Sequence, residues 1–241
     1  NKGVPLKEAF DWNPCGCVET NLAGRMRQYT ALADINLGSM IELALNNGIC
    51  RKSGVRIAPE VGEATTFQDY PAFEEAVKQQ IRYAVAAVVK GSHLIDDICL
   101  ERVSPALSLT FPACIEKALD YSQGGAKYNC GNGIILIGVA DLINSMAAVR
   151  KLVYEQKRIS MAELVQALAT DFAGCEHIRQ LCLKAPKYGN DDETVDEIAG
   201  RMFTFLADEI ESYSSKFGKM TPGILPVSGR SEERRVGKEC R

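Results

Sequence analysis

Apolar residues recur at helical spacing from Ile35 to Asn47, where Ile35, Leu37, Ile41, Leu43, Ala44 and Leu45 fall near one face. Asn36 or Asp34 stands before the run as a cap, and Gly48 follows it as a stop. Residues 49–69, with Gly54, Pro59 and Gly62, read as loop. The pattern predicts a long amphipathic helix from about Pro71 to Lys90, with Glu74 and Glu75 early and Lys90 late, the order a helix dipole favours. Gly91 ends it; a second helix then runs from Ser92 or His93 to about Ser104, and Pro105 breaks that one. The stretch GGAKYNCGNGII, Gly124–Ile135, reads as a loop, with a short strand at Ile134–Ile137.

Helical spacing returns at Ala140–Glu155, on Leu142, Ile143, Met146, Val149 and Val153. Ser160–Glu163 (SMAE) is a capping box and opens a helix to about Phe172. Further helices are predicted at Gly174–Leu183 and Thr194–Lys216, with the polar turn Ala185–Glu193 between them. GILPVSG predicts a closing strand. The expected class is α/β and helix-rich; a continuous parallel sheet is not visible in the pattern.

The chain has 241 residues, is 46% hydrophobic and 24% charged, and carries a formal net charge of −3 at pH 7. Without a basic stripe interleaved with aromatics it lacks the footprint of a nucleic-acid binder. No apolar run reaches the length of about 18 residues that a membrane span needs, and no signal-like segment opens the chain. Its 9 cysteines are irregularly spaced. That pattern fits buried thiols in a reducing, cytoplasmic compartment rather than a secreted disulfide framework. Arg230–Arg241 (RSEERRVGKECR) is charged and aperiodic, and reads as a non-native tail of the sequencing-adapter kind. The remaining 1–229 read as an internal piece of a longer reading frame.

The candidate chemistry lies in NPCGCVET, Asn13–Thr20. Pro14 biases Asn13 away from helix, and Gly16 frees the backbone beside Cys17. In an extended segment Cys15, Cys17 and Glu19 share one face. A carboxylate beside a thiol raises the thiol pKa, so the pair is poorly arranged for a thiolate nucleophile and acceptable for neutral-sulfur radical chemistry. Buried structural thiols and a metal site stay open from the residues alone, although a metal centre wants about four ligands and only the Cys15/Cys17 pair is evident. Gly124–Gly133 lacks the spacing of a phosphate-binding loop and reads as a tight turn.

Six strings occur in order: GCVE (Gly16–Glu19), IELALNNG (Ile41–Gly48), GGAKYN (Gly124–Asn129), GVADLINSMAAVRKLVYE (Gly138–Glu155), APKYGNDDE (Ala185–Glu193) and PVS (Pro226–Ser228). Together they resemble the central-to-C-terminal part of glycyl radical enzymes of the pyruvate formate-lyase superfamily. The resemblance implies part of a ten-stranded α/β barrel with outer helices. It implies Cys17 as the thiyl radical and Glu19 as the general base of the dehydratase and C–N or C–S lyase members. Thr30, within QYT, is similar to a pocket threonine of the choline-lyase branch. Asp34 stands where that branch has tyrosine, and Leu225 where several members place an aromatic; all three are implied substrate-pocket positions.

No directly bound cofactor or metal is implied. The glycyl radical belongs outside this piece and is installed by a radical-SAM activase with an iron–sulfur cluster. A small polar substrate and a homodimer are also implied. Gly16 separates two cysteines that are adjacent in pyruvate formate-lyase itself, and Glu19 follows, which disfavours a formate acetyltransferase and favours the lyase or dehydratase side; the alternative within the superfamily is a formate acetyltransferase-like or arylacetate decarboxylase-like C–C lyase. Arg235-Val236-Gly237 superficially resembles the radical-glycine motif, but lysine follows and it lies in the tail. The reading from another class is a non-catalytic helical binding domain.

Overall fold

A computed structural model describes residues 3–15 and 19–224. The expected tail and Leu225 lie outside the described residues. In chain order come α1 (Leu6–Ala9), β1 (Trp12–Cys15), β2 (Glu19–Leu22), β3 (Met26–Asn36), α2 (Leu37–Leu45), α3 (Tyr70–Glu101), α4 (Pro105–Ser108) and α5 (Pro112–Lys117). They are followed by β4 (Tyr128–Ile137), α6 (Val139–Val149), α7 (Met161–Ala169), α8 (Glu176–Lys184), α9 (Glu193–Glu211), β5 (Ser214–Ser215), β6 (Gly218–Lys219) and β7 (Thr221–Ile224). The chain is thus helix-rich α/β. Strands pair as β1-β2, as β3-β4-β7 and as β5-β6.

Two compact units divide the chain. Among the described residues, one comprises 3–15, 19–34, 87–135 and 208–223; the other comprises 35–86, 136–207 and Ile224.

The second unit is a helical layer whose caps were written in the sequence. Asn36 accepts from the backbone N–H of Gly38 at 3.0 Å and of Ser39 at 3.4 Å, opening α2. Ser160 and Glu163 form the reciprocal box that opens α7. Gly48 ends α2 at φ +81°, where a Cβ would lie 2.3 Å from the Ala58 carbonyl oxygen. Helices α2 and α6 pack together, and Leu37, Ile41, Leu142, Ile143 and Met146 on them are buried. The helix predicted at Ala140–Glu155 is present, but its last turn, Arg150–Glu155, is π-helical. In α3, Glu74 is 7% exposed and accepts from Lys78 at 2.7 Å and Arg201 at 3.0 Å. Burial raises its pKa, but those two hydrogen bonds and their charges outweigh it and hold the carboxyl below its ordinary value.

Four predicted boundaries are corrected. Gly91 does not divide α3, which continues for 32 residues. A mid-helix glycine costs about 1 kcal/mol, and the buried Ser92 and Asp96 that follow make hydrogen bonds that offset it. The glycine- and asparagine-rich stretch from Tyr128 is not a loop but the first half of β4. A Cβ at Gly131 would lie 1.9 Å from the Lys219 carbonyl oxygen, so this strand needs glycine where the β5–β6 hairpin lies on it. Strand β3, 11 residues long, was not predicted. Finally, α9 ends at Glu211 rather than Lys216, because the chain turns into the short hairpin at Ser214.

The first unit holds a small apolar cluster of Phe111, Cys114 and Ala126, with Tyr121 packed against it. Beside it, Asp120 accepts from Ser108 Oγ at 2.7 Å, Ser104 N at 3.0 Å, Ser122 N at 2.9 Å and Ser122 Oγ at 2.6 Å. Desolvation raises its pKa, but these four hydrogen bonds to the charged form outweigh it and the net displacement is downward.

Three outcomes are expected. Gly131→Ala should lower stability by about 2 kcal/mol or more in urea titration, because both sides of the clash are backbone. Gly91→Ala, whose new Cβ meets nothing within 4 Å, should raise it by up to about 1 kcal/mol. Asp120→Asn should cost about 1–3 kcal/mol at pH 7. Because the folded pKa is depressed, the Asp120 contribution is complete above its unfolded value and is lost as pH falls through the folded one. The difference between wild type and variant should therefore shrink below about pH 4.

Candidate functional site

The candidate site is built on the β1–β2 hairpin. Its register pairs Trp12 with Leu22, Asn13 with Asn21, Pro14 with Thr20 and Cys15 with Glu19. All four β1 residues are exposed, and Leu22, 2% exposed, is the buried anchor of the pair. Pro14 has no N–H to give to a ladder, which suits a two-stranded ribbon.

Side chains directly opposite one another on antiparallel strands lie on the same side. Cys15 and Glu19 therefore share a face, as expected, but by pairing across a hairpin rather than along one extended segment. Glu19 is half-buried and Cys15 exposed. Cys17, with Gly16 and Val18, lies outside the described residues.

Several contacts hold this region. Arg25 Nη1 donates to Asp11 Oδ2 at 2.7 Å, which pushes the guanidinium pKa up. Lys127 Nζ donates to Glu8 Oε1 at 2.5 Å and the Tyr128 hydroxyl donates to Glu8 Oε2 at 3.0 Å. The Lys127 hydrogen bond is the main reason the Glu8 carboxyl lies below its usual range. The Tyr128 N–H donates to the Arg25 carbonyl at 2.9 Å, so the residue that opens β4 bonds to the residue before β3.

The implied substrate residues divide in two. Thr30 and Asp34 stand four residues apart on β3, in a different sheet from the hairpin that carries Glu19. Asp34 is exposed. The Thr30 side chain and Leu225 lie outside the described residues. Among the described residues no group of three or more His, Cys, Asp or Glu side chains is placed to hold a metal ion, and no helix is long and apolar enough to cross a membrane.

Sequence reasoning missed a buried polar cluster in the same unit. Asn132 Nδ2, on β4, donates to Ser92 Oγ at 2.7 Å and to Asp96 Oδ1 at 2.9 Å, both on α3. The Lys216 N–H, from the β5–β6 hairpin, donates to Asp96 Oδ2 at 3.1 Å. Arg27 of β3 is fully buried. Its available signal was Ser92 and Asp96 four apart in a helix that also carries Leu94, Ile95 and Ile98.

Comparison with known proteins agrees with this framework. A family model described as pyruvate formate lyase-like matches residues 1–230. Trans-4-hydroxy-L-proline dehydratase of Clostridioides difficile is 35% identical over 210 residues, 86% of this chain and 26% of its own. The glycerol-bound B12-independent glycerol dehydratase of Clostridium butyricum superposes with a TM-score of 0.87 at 32% identity, covering 93% of this chain and 28% of that one. A glycyl radical enzyme from Archaeoglobus fulgidus superposes with a TM-score of 0.82 at 30% identity, over 91% of this chain and 28% of that one. The chain spans about a quarter of the length of the relatives it matches, and the three-stranded sheet sets it apart from a purely helical scaffold. By that match along nearly its whole length, this chain belongs to the pyruvate formate lyase-like family of glycyl radical enzymes.

Proposed function

We propose that the parent protein is a glycyl radical lyase of the dehydratase kind, acting in the cytoplasm on a small polar substrate. The observation that carries this reading is Glu19, paired across the hairpin from Cys15 and two residues beyond Cys17 in GCVE. With a glycyl radical present elsewhere in the parent polypeptide, installed by a radical-SAM activase, Cys17 would give up its S–H hydrogen atom to that glycine and be left as a thiyl radical. Cys17 sulfur then takes a hydrogen atom from a substrate carbon that bears a hydroxyl, forming S–H and breaking C–H. This transfer moves no net charge, so it gains nothing from a thiolate.

Glu19 takes the proton of that hydroxyl. The increased electron density on the radical carbon expels the leaving group from the neighbouring carbon, and the proton leaves with it. The Cys17 S–H returns its hydrogen atom to the product radical. A base has to reach its proton at hydrogen-bond distance, which suits a carboxylate two residues from the sulfur. C–O cleavage is favoured over C–N and C–S because two of the relatives compared above are dehydratases. Thr30, Asp34 and Leu225 are assigned to the substrate wall, and the active form to a homodimer.

The parent protein, activated without oxygen, should turn over vicinal diols or hydroxylated amino acids. Cys17→Ala should abolish turnover while leaving radical content, measured by electron paramagnetic resonance, intact. Glu19→Gln should lower kcat by about 10²–10⁴-fold, the range for a lost general base. Turnover that survives Cys17→Ala would defeat the assignment.

A further inference from the structure

The second half of α3 is turned inside out. Leu94, Ile95 and Ile98 are 62%, 41% and 48% exposed, whereas Ser92 and Asp96 are 1% exposed. The polar side of the helix is the buried one, and it meets a charge. Arg27 is 0% exposed, and among the described residues none of its three guanidinium nitrogens has a hydrogen-bond partner. Its Cζ lies 3.4 Å from the centroid of the Phe217 ring and 4.8 Å from that of Tyr29. Burial pushes the guanidinium pKa down, while the nearby Asp96 is among the charges that oppose this.

Such an arrangement is a poor way to gain stability. Removing a guanidinium from water costs several kcal/mol, and ring faces and a non-contacting carboxylate return only part of it. An aliphatic residue would fill the position at less cost. What a buried charge supplies is discrimination between alternatives. Asp96 is bonded by Asn132 of β4 and by the N–H of Lys216, and the next residue, Phe217, lies on Arg27 of β3. Helix, hairpin and two neighbouring strands thus converge on one carboxylate and one guanidinium. A slip of β3 by one residue would bring Met26 or Gln28 to that position and strand the charge. It would also turn every residue of the strand to the opposite face.

We propose that Arg27 is a positioning residue: its buried guanidinium, stacked on Phe217, fixes the register of the strand that carries Thr30 and Asp34. Its consequence for turnover rests on the function proposed above; its consequence for register does not. Arg27 acts through the strand.

The test has two arms. Amide hydrogen exchange on the unactivated protein reads register without needing catalysis. In Arg27→Met, amides of residues 26–34 should exchange about tenfold faster or more, while those of α9 keep their wild-type rates. Phe217→Leu, which removes the stack and keeps the charge, should give a smaller change in the same segment and guards against a methionine variant that fails to fold. In the activated parent protein, Arg27→Met should lower kcat by about 10²-fold with unchanged radical content, the scale of a misplacement of about 1 Å, and Arg27→Lys should recover most of it. Wild-type exchange at 26–34 in both variants overturns the proposal whatever happens to turnover. Altered exchange in a parent protein without any activity would leave Arg27 in its register role and defeat the proposed function instead.

Discussion

The Asp96 carboxylate is the junction from which the first unit is organised. It is buried, it accepts from two donors on two different elements, and its neighbour Ser92 shares one of those donors. Buried polar groups are costly unless satisfied, so this junction tolerates few alternative arrangements of α3, β4 and the β5–β6 hairpin. The close approach at Gly131, where the Lys219 backbone leaves no room for a Cβ, is its steric counterpart. Hydrogen bonds set the direction of approach and glycine permits the distance. The sheet that follows, with β4 between β3 and β7, is built on that approach.

Why some of this was legible and some not follows from where the determining contacts lie. Helix caps are local: Asn36 bonds two and three residues ahead, and Ser160 bonds Glu163. Their signals fit in a four-residue window, and α2 and α7 were placed accordingly. Strand β4 is determined from elsewhere. Gly131 reads as a loop residue by propensity, and only the arrival of Lys219, 88 residues later, makes it a strand residue. Helix α3 makes the same point in reverse. Gly91 reads as a stop, but the bonds that Ser92 and Asp96 make to Asn132, about 40 residues away, carry the helix through it. Strand β3 was missed because its buried positions include a charged residue, Arg27, which breaks the apolar alternation that marks a half-buried strand.

For the site, the order of six short strings carried more than any side-chain pattern did. The common face of Cys15 and Glu19 was anticipated for the wrong reason. Period-two alternation along one strand and direct opposition across two give the same side, yet they differ in reach. Along a strand, Cys15 and Glu19 would stand four residues apart. Across the hairpin they are partners, and the chain between them is only residues 16–18. That pairing brings the Cys15 and Glu19 positions together without any further element.

Among the buried charges of the described residues, Glu74 and Arg27 are handled in opposite ways, and the contrast separates stability from specificity. Glu74 meets Lys78 and Arg201 directly, at 2.7 and 3.0 Å, so its desolvation is offset where it occurs. Arg27 meets ring faces and a carboxylate it does not touch. Were both devices for stability, natural variation toward the cheaper solution would place an acceptor beside Arg27, and Asp96 stands within its field to provide one. Asp96 instead accepts from Asn132 and the Lys216 N–H. The carboxylate is occupied in holding two elements to the helix, and the guanidinium senses it at a distance. A charge so placed is sensitive to the position of its strand as a whole, which is the property that fixing a register requires.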